Sequence, residues 1–182
     1  MGRPVQKYLV VARYKEDVGW LSGIPGWNHV IIQKDTENGK GDLPNTGRES
    51  SSYFYAILKH YDTINSADVW AFVQGRPFDH CVDFSTALGL PVDGFRWLGN
   101  ASKTTDGEGR PDHPGLPVEK KHGEWLGKEM AEPVLFAPGG QHITTGERIL
   151  RHPKSFYTEV MRDFNIEYNA WVGERLWEEI YK

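Results

Sequence analysis

In open α/β sheets, ligands bind where polar groups follow directly on a buried strand. Val73-Gln74-Gly75-Arg76-Pro77-Phe78-Asp79-His80 has that form. Asp79 and His80 can hold a hard divalent cation such as Mn²⁺ or Mg²⁺, with waters and ligand phosphates completing the shell. They can equally serve a turn and its hydrogen bonds. His142, in a late strand-like run, is a third candidate ligand on the same rim, although a strand histidine can also be simply hydrogen-bonded. A second cluster, Asn45-Thr46-Gly47-Arg48-Glu49, stands at the entry to a helical pattern, where backbone N–H groups and a planar guanidinium suit phosphate or carboxylate. The plainer alternative makes Asn45 or Thr46 a helix cap and Arg48 with Glu49 a solvated pair. Tyr14, Lys15, Glu16, Lys34 and Asp35 follow two further strand patterns; they can stack on a base and pair with phosphates, or remain surface groups.

These residues need elements to position them. Tyr8–Ala12, Val30–Ile32 and Asp68–Gln74 are short, continuous apolar runs, the pattern of strands covered on both faces. Between the second and third, Phe54, Ile57, Leu58 and Tyr61 recur at helical spacing over 50–61, which predicts a βαβ unit and a parallel sheet. Val18, Trp20 and Leu21 anchor a short helix before a Gly23-Ile24-Pro25-Gly26 turn, and Asn38-Gly39-Lys40-Gly41 reads as a polar loop. Residues 89–138 are rich in Gly and Pro and read as a long excursion with little regular structure, either a substrate lid or a disordered segment. Gly139–Thr144 reads as a late strand, and Phe156, Val160 and Phe164, then Val172, Leu176 and Ile180, as C-terminal helices.

Composition narrows the classes. A length of 182 residues suits one domain with a core of its own. The single cysteine, Cys81, allows no intrachain disulfide and fits a reducing, cytoplasmic setting. The N-terminal residues lack a signal-peptide pattern, and no apolar run approaches transmembrane length. A net charge of −4 argues against a broad nucleic-acid-binding face while leaving room for a local basic patch. His60, His113, His122 and His152 show no ligand spacing, and neither a phosphate-binding P-loop nor a nucleophile elbow occurs.

Taken in order, Val10-Val11-Ala12-Arg13-Tyr14-Lys15-Glu16-Asp17, Ile31-Ile32-Gln33-Lys34, Leu43-Pro44-Asn45-Thr46-Gly47-Arg48-Glu49 and the 72–80 segment resemble the DUF3431 group, which is similar to GT-A-fold glycosyltransferases. Gly140-Gln141, Glu147-Arg148-Ile149 and Glu174-Arg175-Leu176-Trp177 match its later signatures. The resemblance implies a three-layer α/β sandwich around a mostly parallel, mixed sheet, in one domain spanning 1–182. It also implies a nucleotide-sugar donor and an acceptor that is a glycan, a small molecule or a modified nucleic acid. By the same resemblance, Arg13, Tyr14, Glu16, Lys34, Asn45, Arg48, Gln74, Gly75 and Gln141 bind the donor, Arg48 neutralises phosphate, and Asp79 or Glu49 acts as base. Two departures stand out. The Asp-X-Asp triplet of GT-A enzymes is missing, with Gln74-Gly75 near its place, and His142 stands where the group has phenylalanine. Asp79, His80 and His142 are the substitute metal ligands. A nucleotide- or glycan-binding module without turnover is the alternative, as is a transferase acting on nucleic-acid bases.

Overall fold

The apolar runs become the centre of the sheet. In the computed structural model, which describes residues 3–35, 39–131 and 133–182, they form β1 (Lys7–Arg13), β2 (Asn28–Gln33) and β3 (Val69–Gln74). Asn38, expected in a polar loop, lies outside the described residues. β1 pairs in parallel with both β2 and β3, so the β2–β3 connection crosses over β1. That connection carries α1 (Arg48–His60), the helix expected from the spacing of Phe54 and Ile57.

The chain is a single α/β domain built on a mixed five-stranded sheet of order β2-β1-β3-β7-β4, where β4 is Phe95–Trp97 and β7 is His142–Thr145. β7 runs antiparallel to both β3 and β4, so it alone opposes the other four strands. Because β7 starts opposite Phe72, the turn before it lies beside the carboxyl end of β3.

Alternation along the strands sends side chains into two cores. Leu9, Val11, Ala71, Val73 and Ile143 face one side, closed by Leu21 of a short 3₁₀ turn (Gly19–Gly23) and by Phe84 and Leu88 of α2 (Phe84–Gly89). Val10, Trp70 and Phe72 face the other, closed by α1 and by α5 (Lys154–Asp163) and α6 (Glu167–Tyr181), with α4 (Gly146–Leu150) leading in from β7. Close packing of α6 on α1 depends on small residues: a Cβ at Gly173 would stand 3.0 Å from the Ser50 hydroxyl, which donates to the Ala170 carbonyl at 3.1 Å.

The 89–138 excursion departs from expectation. It supplies β4 to the main sheet, a separate β5–β6 hairpin (Lys103–Thr105 with Val134–Phe136) and the nine-residue α3 (Val118–Leu126). Three-residue strands are too short to show a period, and their pairing partners lie far away in sequence, so composition alone reads as loop.

Candidate functional site

The carboxyl ends of β1, β2 and β3 and the first turn of α1 converge on one cavity of about 380 Å³. Its walls include Arg13 and Tyr14 after β1, Lys34 after β2, Gln74, Arg76 and Asp79 after β3, and Asn45, Arg48 and Glu49 at the start of α1. Parallel strands place all their carboxyl ends on one rim, which is why segments distant in sequence meet there.

Several of these groups build the rim rather than face it. The Glu16 carboxylate also lines the cavity, but it accepts from the Tyr14 and Lys15 N–H groups at 2.7 and 3.2 Å, folding the loop after β1 back on itself. Arg13 donates to the Glu16 carbonyl (2.9 Å) and to the Gln33 side chain (2.8 Å). Gly75 is buried against Glu16: a Cβ there would lie 2.6 Å from a Glu16 carboxylate oxygen, so only glycine fits without moving the loop. Gln141 is also buried; it accepts from the Gln74 N–H (3.1 Å) and donates to the Pro77 carbonyl (3.0 Å). Gly75 and Gln141 therefore position the end of β3 and do not line the cavity, where the sequence placed them as donor contacts.

The first turn of α1 is under strain. Gly47 has φ of 68°, and Arg48 follows with φ of 46°, a left-handed conformation that costs a non-glycine residue about 1 kcal/mol or more. The turn leaves Arg48 exposed, its guanidinium 5.0 Å from the Trp171 ring centre, and buries Glu49 beneath it, with an oxygen 3.8 Å from the Arg48 Nε. Burial pushes the Glu49 carboxyl up to about 7; the negative charge of Glu174 on α6 adds to the rise, and Arg48 and a hydrogen bond from Gln74 oppose it. The Lys34 ammonium is also buried, donating to the Thr46 carbonyl at 2.6 Å and to the Ser51 hydroxyl. Burial pulls it down to about 8, against the attraction of Glu49. A base that titrates near neutrality thus stands in the same cavity as four cationic side chains, Arg13, Lys34, Arg48 and Arg76.

The expected three-residue metal site does not form. Asp79 lines the cavity, exposed, with its carboxylate 3.3 Å from the Arg76 guanidinium. The His80 ring instead covers Gly139, where a Cβ would come within 2.4 Å of it. His142 is fully buried on the α1–α6 side of the sheet, among the rings of Phe72, Phe95 and Trp177. Burial holds its pKa down to about 3, so the ring is neutral; Nδ1–H donates to the Gly140 carbonyl (2.8 Å), and Nε2 has no partner among the described residues. Strand order puts His142 at the right end of the sheet, but alternation turns its side chain into the core. Among the described residues, no group of three His, Cys, Asp or Glu side chains is placed to hold a metal ion. Asp79, His80 and His142 therefore do not fit one shared divalent cation. His142→Phe, the residue expected from the resemblance, is predicted to change stability by less than about 1.5 kcal/mol and to leave ligand affinity unchanged. A tenfold loss of affinity in a titration of the variant would contradict this placement.

Two residues near the site were not assigned from the sequence. Arg76 lies inside the 72–80 segment but carried no role, and Glu174 was noted only as part of a signature. Glu174 is partly buried beside Arg175 at 2.9 Å. Its signal in the sequence was an acidic residue between Gly173 and Arg175 within the C-terminal helical pattern. Compared with known proteins, the chain matches no family model, no curated protein and no solved structure.

Proposed function

We propose that the protein is a GT-A-like glycosyltransferase of the DUF3431 type, moving a sugar from a nucleoside-diphosphate donor to an acceptor hydroxyl. One observation carries this reading: a single strand-end cavity gathers Lys34, Arg48 and Arg76 around a buried carboxyl group poised near pH 7. The order of segments that resembles the DUF3431 group supports it. In this scheme Tyr14 stacks on the base, while Lys34 and Arg48 neutralise the diphosphate. Glu49 takes the proton of the acceptor hydroxyl as its oxygen bonds to the anomeric carbon. The bond from that carbon to the phosphate oxygen breaks, and the electron pair leaves with the diphosphate. Of the two bases expected, Glu49 suits the task better than Asp79, because its carboxyl is buried and pushed up to about 7, whereas the Asp79 carboxylate is exposed and paired with Arg76.

The test is a thermal-shift series with uridine, UDP, UDP-glucose and GDP-mannose, each with Mn²⁺ and with EDTA. Ligand at about 100 times its Kd contributes roughly 2.7 kcal/mol, and each kcal/mol raises Tm by about 2–4 °C in a chain of this size. UDP is expected to stabilise the fold more than uridine, and the shift is expected to survive EDTA, because the neutralising cations are side chains. Equal shifts for UDP and uridine would defeat the proposal.

The missing Asp-X-Asp triplet favours a second reading, a nucleotide-binding module without turnover. Binding of a nucleotide sugar with no donor consumed, by transfer or by hydrolysis, would select it.

A further inference from the structure

A second cavity, of about 440 Å³, lies where the 89–138 excursion folds onto α6. His113, Pro114, Gly115 and Leu116 form one wall, Tyr168 and Trp171 the other. It adjoins the strand-end cavity through a shared partition: the Trp171 ring lines this groove, and the Arg48 guanidinium that stands 5.0 Å from it lines the other.

From this geometry we infer that the groove is the acceptor subsite and that it takes a neutral pyranose ring, stacked on Trp171 and Tyr168 with hydroxyl groups reaching His113; the acceptor role rests on the glycosyltransferase reading above. The wall chemistry selects the ligand. No side chain lining the groove carries a fixed charge, and the cations around it are turned away or paired. Arg48 lines the strand-end cavity, Lys120 and Lys121 pair with Glu124 and Asp163, and Arg175 is buried, donating to His113 Nδ1 at 2.7 Å, pairing with Glu174 at 2.9 Å and lying over the Phe136 ring at 4.5 Å. A nucleic acid or an acidic peptide needs free cations, which this groove does not offer. Exposed Tyr168 and the accessible part of Trp171, whose ring also packs against Arg48 (5.0 Å) and His113 (4.2 Å), instead present aromatic surface with polar edges, suited to a ligand that has an apolar C–H face and a rim of hydroxyls.

The histidine is set for that task. Because the guanidinium donates to Nδ1, that nitrogen is the acceptor, and the proton of the neutral ring resides on Nε2, leaving one N–H donor for a hydroxyl oxygen. Trp171 also holds the ring, edge to face at a centre separation of 4.2 Å. The fold beneath is built for this turn: Gly109 has φ of 80°, and a Cβ there would come within 2.3 Å of the His113 carbonyl.

Saturation-transfer NMR with the methyl glycopyranosides of glucose, galactose, mannose and N-acetylglucosamine tests the inference, alongside the UDP thermal shift on the same proteins. At least one glycoside is expected to receive saturation on its ring C–H protons. Tyr168→Ala and His113→Ala are expected to weaken it by about three- to tenfold, with the UDP shift unchanged. Tyr168 is 68% exposed, so its variant retains the fold even if the His113 variant does not. A UDP shift without saturation of any glycoside overturns this inference and leaves the donor reading standing, as does glycoside binding unaffected by Tyr168→Ala. Glycoside binding without any UDP shift overturns the donor reading, and with it the acceptor role.

Discussion

Replacing Glu49 by glutamine is expected to lower donor turnover by about 10²–10⁴-fold while UDP-sugar binding is retained, the range lost when a positioned general base is removed. Glutamine keeps the shape and the hydrogen-bonding oxygen but cannot accept the proton, and the lost negative charge favours the anionic diphosphate. The pH profile provides a second signature. In the proposed reaction, turnover in the parent needs Glu49 ionised, above about 7, and Lys34 charged, below about 8, and a narrow optimum between those values is expected. Stability responds with the opposite sign. The folded pKa of Glu49 lies above its ordinary value of 4.5, so between 4.5 and 7 the unfolded chain holds fewer protons and stability falls as pH rises. Glu49→Gln removes that fall and is expected to be more stable than the parent at pH 8 by on the order of 1–3 kcal/mol. Initial rates and chemical denaturation at pH 5, 6.5 and 8 check both. An unaltered kcat would transfer the base role to Asp79, and a stability difference that does not vary with pH would show that Glu49 is ionised throughout.

Trp177→Ala is expected to destabilise the fold by about 3–5 kcal/mol, lowering Tm by on the order of 10 °C. Trp177 is fully buried on α6, its ring 4.8 Å from that of His142, 5.2 Å from Phe54 and 5.7 Å from Tyr53. No single neighbour can collapse into the space of an indole. Trp177→Phe is expected to cost less, because the indole N–H has no partner among the described residues and its removal leaves no bond broken. The site is affected as well. A Cβ at Gly140 would lie 3.2 Å from the indole nitrogen and 3.4 Å from the Glu174 side chain, so Trp177, the turn before β7 and the acid that raises Glu49 form one packed unit. Calorimetry of the two variants checks the order; a loss below about 1 kcal/mol for alanine would mean that the aromatic cluster repacks.

Periodicity and local order in the sequence determined the central strands, α1 and the C-terminal helices, because a covered strand and an amphipathic helix each leave their pattern within a dozen residues. They also determined most of the rim: Arg13, Tyr14, Glu16, Lys34, Asn45, Arg48, Glu49, Gln74 and Asp79 were all legible as groups following strands or opening a helix, and all line one cavity. What each does there was decided in three dimensions. His142 was assigned to the right end of the sheet, yet a strand alternates its faces with a period of two, and a shift of one position moves an imidazole from the rim into the aromatic core. Gln141 and Gly75 proved to shape the rim from beneath, which shows only once β7 lies antiparallel beside β3. Tertiary structure alone supplied β4, the β5–β6 pair and the contact of His113 with Arg175, since hydrogen bonds and contacts between segments tens of residues apart leave no mark on local composition. The basicity of Glu49 has the same origin: its pKa depends on the burial of the first turn of α1 in the folded chain and on a charge from α6, and neither is a property of the residues beside it in the chain.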